Sequence, residues 1–135
     1  PGACPDPHNV NNEYRWSIGF PWDFDGTAKT EFINKLNTPP CYAGHCDWRL
    51  PEVAKEGGTE ELETIFDETQ GGCGSGLGAC VDPIFGTTRA SCHWSAITDA
   101  NSPTRAWLFN FTAGTYFAGD KNNICSTRAV RTGSD

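Results

Sequence analysis

The chain has 135 residues, the size of one domain, and a formal net charge of −7. An acidic chain is a poor candidate for nucleic-acid binding, and no apolar run approaches the ~20 residues that span a membrane. Fifteen glycines and nine prolines imply abundant loops, while seven cysteines point to an oxidising compartment.

Residues 1–13 are rich in Pro and Asn without periodicity and read as an arm or linker, leaving 14–135 as a single domain. A start at Pro1 instead of Met reads as a processed form or an excised domain. Tyr14 to Ile18 alternate as a first strand, and Phe20 to Gly26 form a turn-rich link. Thr27 is placed to cap a helix through Asn37, in which Ala28, Phe32, Ile33 and Leu36 share one stripe and Pro39-Pro40 stop the run. Residues 51–55 could begin a turn of helix before Gly57-Gly58. Thr59 then caps a second predicted helix, with Leu62, Ile65 and Phe66 on its apolar face. Its acids suit the positive end of a helix dipole and read as a solvated face. The Gly-rich loop from Gln70 to Ala79 is not a phosphate loop, because no Lys-Ser/Thr follows its glycines.

Four short runs from Cys92 to Arg131, rich in aromatic and β-branched residues, predict an antiparallel meander. Alternation sets Ala106, Leu108 and Asn110 on one face and Trp107, Phe109 and Phe111 on the other, the aromatic face being expected inside. Trp48, Trp94 and Trp107 are the expected core tryptophans. Of the adjacent His93 and Trp94, Trp94 is expected in the core and His93 at the surface or edge.

Spacing suggests disulfides Cys41–Cys46 and Cys73–Cys80 around short loops and Cys92–Cys125 between two strands, leaving Cys4 odd. A metal site is the alternative, but no Cys-x-x-Cys occurs. Charge is uneven. Residues 1–88 hold five basic and fourteen acidic side chains, whereas residues 89–134 hold five basic and two acidic, a balance of +3. At least one of Arg128 and Arg131 is expected to pair internally with a carboxylate.

The run Ala43-Gly44-His45-Cys46-Asp47-Trp48-Arg49-Leu50-Pro51 resembles a signature of the bacterial collagen-like adhesin C-terminal domain family, Lcl C-terminal-like. Asp82-Pro83-Ile84-Phe85, His93-Trp94-Ser95, Ala106-Trp107 and Lys121 with Arg128-Ala129-Val130-Arg131 follow in the family's order, so the likeness spans about residues 14–133. The resemblance implies an α+β, C-type-lectin-like fold: two helices flanking a small twisted antiparallel sheet with long disulfide-tied loops. It also implies extracellular adhesion, with sulfated polysaccharide as a ligand class and diversified loops in some relatives. The chain departs from the pattern at His93, where an aromatic is usual. Residues 54–58 look inserted, and the first strand keeps only Trp16 of its usual opening.

Motifs that invite chemistry have structural readings. Asp47-Trp48-Arg49 lacks a nucleophile or second base at a recognisable spacing, so Arg49 is expected to hold a carboxylate or loop carbonyls bidentately while Trp48 packs. Formylglycine-generating enzymes share the broad fold and use a cysteine pair, but six cysteines here have disulfide partners, so no enzyme activity is expected. Asp99, Asn101, Asp120 and Asn122 offer oxygens of the kind calcium takes. The lectin Glu-Pro-Asn and Trp-Asn-Asp motifs are absent, however, and turns use the same residues, so no cofactor is expected.

The remaining candidate surface is the loop set 98–104 and 110–123, with Thr98, Asp99, Asn101, Ser102, Arg105, Asn110, Tyr116, Lys121 and Asn122 as ligand-binding residues. Hydroxyls, amides, a planar ring and basic groups suit an extracellular glycan, anionic by the +3 balance, or a protein. The expected function is a secreted or surface-displayed adhesion domain. The alternative is a structural subunit or decoration of a pilus, fibre or other appendage, contacting its own copies or filament neighbours.

Overall fold

A computed structural model describes residues 12–71, 73, 78–85, 88 and 91–131. Strand β1 (Tyr14–Arg15) is followed by a π-helical stretch, Ala28–Ile33, that runs into the α-helical turn α1 (Asn34–Leu36). The predicted stripe drives this element: Ala28, Phe32, Ile33 and Leu36 are all buried. Thr27 does not cap it. The residue is already helical at φ −65° and ψ −21°, and its hydroxyl accepts the Arg15 N–H instead.

Three of the four predicted runs form the meander, β2 (Cys92–Thr98), β3 (Arg105–Asn110) and β4 (Thr115–Asp120), an antiparallel sheet in that order; the fourth run leaves it for a separate two-stranded sheet. Its register sets Trp94 opposite Leu108, Leu108 opposite Phe117, and His93 opposite Phe109, which in turn faces Tyr116. Gly114, at φ +71°, closes the β3–β4 turn with its N–H on the Asn110 carbonyl, a conformation that favours glycine. Strand β5 (Ile124–Cys125) pairs antiparallel with β1, bringing the two ends of the domain together.

Both faces of the meander are buried, where the alternation argument expected only one. Ala106, Leu108 and Trp94 pack with Tyr14, Trp16 and Phe32 in one core. Phe109 and Phe111 pack with Val53, Leu62 and Val81 in a second. The cover over the second face comes from irregular chain around residues 53–66 and 79–81, including the Leu62, Ile65 and Phe66 of the expected apolar stripe. His93 is therefore buried rather than at an edge: it lies on the second face with its ring 4.9 Å from that of Phe111. Trp94 is fully buried as expected, with its indole N–H donating to the Tyr14 carbonyl at 2.7 Å. Trp48 and Trp107 are only partly buried, each packed at the margin of a core.

The second predicted helix is a single 3-10 turn, Glu63–Ile65. Tertiary contacts override its helical pattern. The Glu52 carbonyl accepts the N–H groups of Glu61 and Leu62, and Phe66 goes extended to bridge Val81. Residues 51–55 form bends rather than a helical turn.

Cys41–Cys46, Cys73–Cys80 and Cys92–Cys125 are bonded as spacing suggested, with Cα separations of 5.2, 4.9 and 5.4 Å. The expected arm at residues 1–13, and Cys4 within it, lie almost wholly outside the described residues.

Candidate functional site

Two loops meet at one end of the meander. The β2–β3 loop is a built turn. The Asp99 N–H donates to the Arg105 carbonyl, and the Asp99 carbonyl accepts the Ser102 N–H, each at 3.0 Å. Asp99 Oδ1 takes the Asn101 N–H at 3.0 Å, and the Ser102 and Thr104 hydroxyls lie 3.3 Å apart. The β4–β5 loop joins it through the Lys121 N–H, 2.9 Å from the Thr104 carbonyl. Residues 98–104 and 120–123 thus form one surface, with Asn101, Arg105 and Asn122 exposed and Thr98 and Ser102 half-exposed.

The expected site residues divide. Thr98, Asn101, Ser102, Arg105 and Asn122 belong to this end of the sheet and keep accessible groups. Asp99 is buried and its carboxylate serves its own turn, so it shapes the loop. Asn110 stands at the opposite end of β3, where its Oδ1 accepts the Thr112 N–H and hydroxyl. Tyr116 lies toward that end too, donating its hydroxyl to Glu63 at 2.7 Å. Burial, then the Glu60 and Glu63 carboxylates, pushes the Tyr116 phenol well above its ordinary range.

Lys121 is a correction to the expected surface. It is buried at 2 % exposure, with Nζ 4.2 Å over the Trp16 ring and donating to the Trp22 carbonyl at 2.9 Å. Burial pulls its pKa down. The loop end is consequently less basic than the local charge balance implied. Arg105, half-exposed, pairs with Asp120 at 3.4 Å. Arg131 is spent on Asp47 at 3.1 Å, the internal pairing expected for Arg128 or Arg131, and this contact holds the Asp47 carboxyl below its usual range. The acids weighed for calcium are likewise engaged, Asp99 in its turn and Asp120 with Arg105. Among the described residues no group of three His, Cys, Asp or Glu is placed to hold a metal ion.

Sequence reasoning missed Lys55 and Glu56, in the stretch that looked inserted. Glu56 adopts φ +50°, and its Oε2 accepts the Ala100 N–H at 2.7 Å and the Trp107 indole N–H at 3.4 Å. Lys55 Nζ lies 5.1 Å from the Trp107 ring centroid and 5.3 Å from that of Tyr116, within cation–π range. These two residues buttress the β2–β3 loop from the second face. The signal available was the contrast of that stretch with the rest of the resemblance; nothing in its composition said what it would touch.

A small antiparallel sheet buried on both faces, one short helix and three disulfides holding long loops define a disulfide-tied mixed α/β domain. The match to the Lcl C-terminal domain family covers residues 4–131, nearly the whole chain, and the protein belongs to that family. It is thereby placed among adhesin-like surface domains. No curated protein and no solved structure matches the chain significantly. Among the described residues no helix is long and apolar enough to cross a membrane.

Proposed function

We propose that this domain is an extracellular binding module that recognises a glycan through the end of the meander built by residues 98–104 and 120–123. The observation that carries the reading is the joining of these two loops into one hydrogen-bonded surface, on which Asn101, Asn122 and Arg105 stand out with Thr98 and Ser102 beside them. Amides and hydroxyls on a fixed backbone suit sugar hydroxyls, and Arg105, held loosely by an exposed carboxylate, is the group that would answer an acidic substituent. An extracellular location fits three disulfides and the family. A C-type-lectin-like kinship is part of the same reading, supported by the β1–β5 pairing that joins the two ends of the domain beside a small antiparallel sheet. The role is binding and not catalysis: Asp47 and Arg49, the residues that invite chemistry, are engaged with Arg131 and Glu61. The test is a glycan array followed by titration of the best neutral and acidic hits, with Asn101→Ala and Arg105→Ala as variants. Loss of binding in both variants at unchanged melting temperature is the expected result; unaltered binding in both would overturn it.

A second reading, assembly into an appendage, draws on one observation. Ile18 and Phe20 are 76 % and 87 % exposed on a loop held in shape by the Asp25 carboxylate, which accepts the Ser17 hydroxyl and the Ile18 N–H. Such a fixed apolar tip suits contact with a neighbouring subunit. Electron microscopy of native material distinguishes this reading from the first.

A further inference from the structure

The Arg-Ala-Val-Arg run near the C-terminus does not contribute to the loop surface, yet it builds a second concavity. A groove of about 470 Å³ lies between residues 60–65 and 128–131, lined by the apolar Ile65, Val130 and Phe85, by Arg128, and by Glu60 and Glu61, the latter already matched by Arg49. Segment 128–131 is placed there by the antiparallel bridge between Arg49 and Val130, with both N–H to carbonyl distances 2.8 Å. Arg128, Ala129, Val130 and Arg131 all border the groove, and Ala129 packs against the first core as well.

Among the described residues the guanidinium of Arg128 is bound to neutral oxygens alone. Nη1 donates to the Thr88 hydroxyl and Nη2 to the Phe85 carbonyl, each at 2.6 Å. Among the described residues no carboxylate lies within ion-pair distance of it, and Nε–H has no acceptor. The two neighbouring guanidiniums differ, since Arg49 is matched by Glu61 and Arg131 by Asp47. A half-buried cation fixed by two neutral acceptors is under-compensated, and a carboxylate entering the groove would supply the missing charge and bidentate geometry. The apolar lining asks for an apolar group next to that carboxylate, which a hydroxyl-covered sugar ring does not offer. Chain geometry adds a third feature. Residues 128–131 are irregular and bridged only at Val130, and the N–H groups of Ala129 and Arg131 have no acceptor among the described residues. An extended peptide can be held by such unpaired backbone groups as an added strand.

We propose that this groove binds the C-terminal end of an extracellular peptide, its carboxylate on Arg128 and its last, apolar side chain on Ile65 and Val130. The site is separate from the glycan surface, because residues 98–104 and 120–123 line none of it, and it stands or falls independently of that reading.

The test uses the whole chain, isotope-labelled, titrated with an N-acetylated Gly-Ala-Leu tripeptide as free acid, with the same tripeptide as its C-terminal amide, and with a glucuronic-acid disaccharide. The free acid is expected to shift the Ile65 and Val130 methyl resonances and the Arg128 side-chain resonance. The amide is expected to bind at least about tenfold more weakly, the scale of one charge-assisted hydrogen bond. Arg128→Lys, which keeps the charge and loses the fork, is expected to weaken the acid by a similar factor. The acid–amide comparison needs no substitution, so a variant that fails to fold does not remove the test. Equal affinity for acid and amide overturns the proposal, as do shifts confined to residues outside the groove. A response to the disaccharide without one to the peptide also overturns it and reassigns the groove to acidic sugars.

Discussion

Arg49 and Glu61 meet fork to fork, with Nη1 on one carboxylate oxygen and Nη2 on the other, both at 2.8 Å. The same carboxylate accepts the Glu52 N–H at 2.7 Å, while the Arg49 backbone bridges Val130. One side-chain pair therefore fastens together residues 49–52, residues 60–62 and the C-terminal segment, and holds Leu62 over the second face of the meander.

Glu61→Gln keeps an acceptor for Glu52 and removes the charge. Arg49 holds the Glu61 carboxyl below the usual range. A depressed folded-state pKa means that the stabilisation is complete above the unfolded value of about 4.3 and disappears as pH falls through the folded one. The pair is partly exposed, so solvent screening limits the expected loss to about 1–2 kcal/mol at neutral pH. Urea denaturation of parent and variant at pH 7 should show that gap, and the two midpoints should draw together as pH falls below the usual carboxylate range. A gap that persists unchanged in acid would mean that Glu61 acts through packing.

Trp94 and Trp107 should part company on truncation. Trp94 is fully buried, and Trp94→Ala is expected to cost about 3–5 kcal/mol, the range for emptying a large core site. Trp107 sits at the margin with Lys55 over its ring, so Trp107→Ala is expected to cost about 1–2 kcal/mol, with only part of its area to lose. Thermal melts of both variants decide the order; a larger loss at Trp107 would place it in the core.

Three strands of the meander, the first helical segment and two of the cysteine pairs were legible because each is a local signal. Alternation marks strands, a stripe ended by Pro39-Pro40 marks the helix, and cysteines bracketing short loops mark their partners; Cys92–Cys125, 33 residues apart, followed from placing both in strands. For Arg49 the sequence leaves open a carboxylate or loop carbonyls as partner and does not single out Glu61. Alternation along β3 says which residues share a face and nothing about what lies over each face. The burial of the aromatic face with Phe109 and Phe111 was therefore legible, whereas that of Ala106 and Leu108 against Tyr14, Trp16 and Phe32 was not. Nor was the burial of His93, which packs on Phe111 within the aromatic face. Lys121 was misplaced for a related reason. In sequence it sits in a polar turn of the kind that stays in water, and only the fold brings Trp16 and Trp22 around it.

The disulfides differ in the loops they close. Cys92–Cys125 spans 33 residues and ties β2 to β5, whereas Cys41–Cys46 spans five. In the chain-entropy account these loops correspond to about 4 and about 2 kcal/mol, so Cys92→Ala with Cys125→Ala should cost more than Cys41→Ala with Cys46→Ala. Non-reducing peptide mapping should recover the three pairs with one thiol left at Cys4. A Cys4 linkage to any of the other six would refute the scheme.

Binding to acidic glycans, if it runs through the loop end, rests on Arg105. The residue is half-exposed and its partner Asp120 more so, hence the pair is weak and an acidic sugar can compete for the guanidinium. Charges exposed to this degree are screened over about 8–10 Å at physiological salt. Affinity for a heparin-like chain should therefore fall as salt rises, and Arg105→Glu should reduce it by about tenfold or more, while neutral glycans respond little to either change. Asp120→Asn frees Arg105 and should tighten binding to the acidic chain. Lys121→Glu is expected to act differently, because a carboxylate placed over Trp16 and against the Trp22 carbonyl has no partner there; it should lower the melting temperature first, and binding only as folded protein is lost. Chelator is expected to leave all affinities unchanged, since Asp99 and Asp120 are already engaged. Measuring heparin-like and neutral glycans at two salt concentrations, with and without chelator, separates these outcomes. Equal, salt-independent affinity for both classes would remove Arg105 from the mechanism and leave Asn101 and Asn122 as its carriers. Failure to bind any glycan would favour the appendage reading, with Ile18 and Phe20 as the contact to test next.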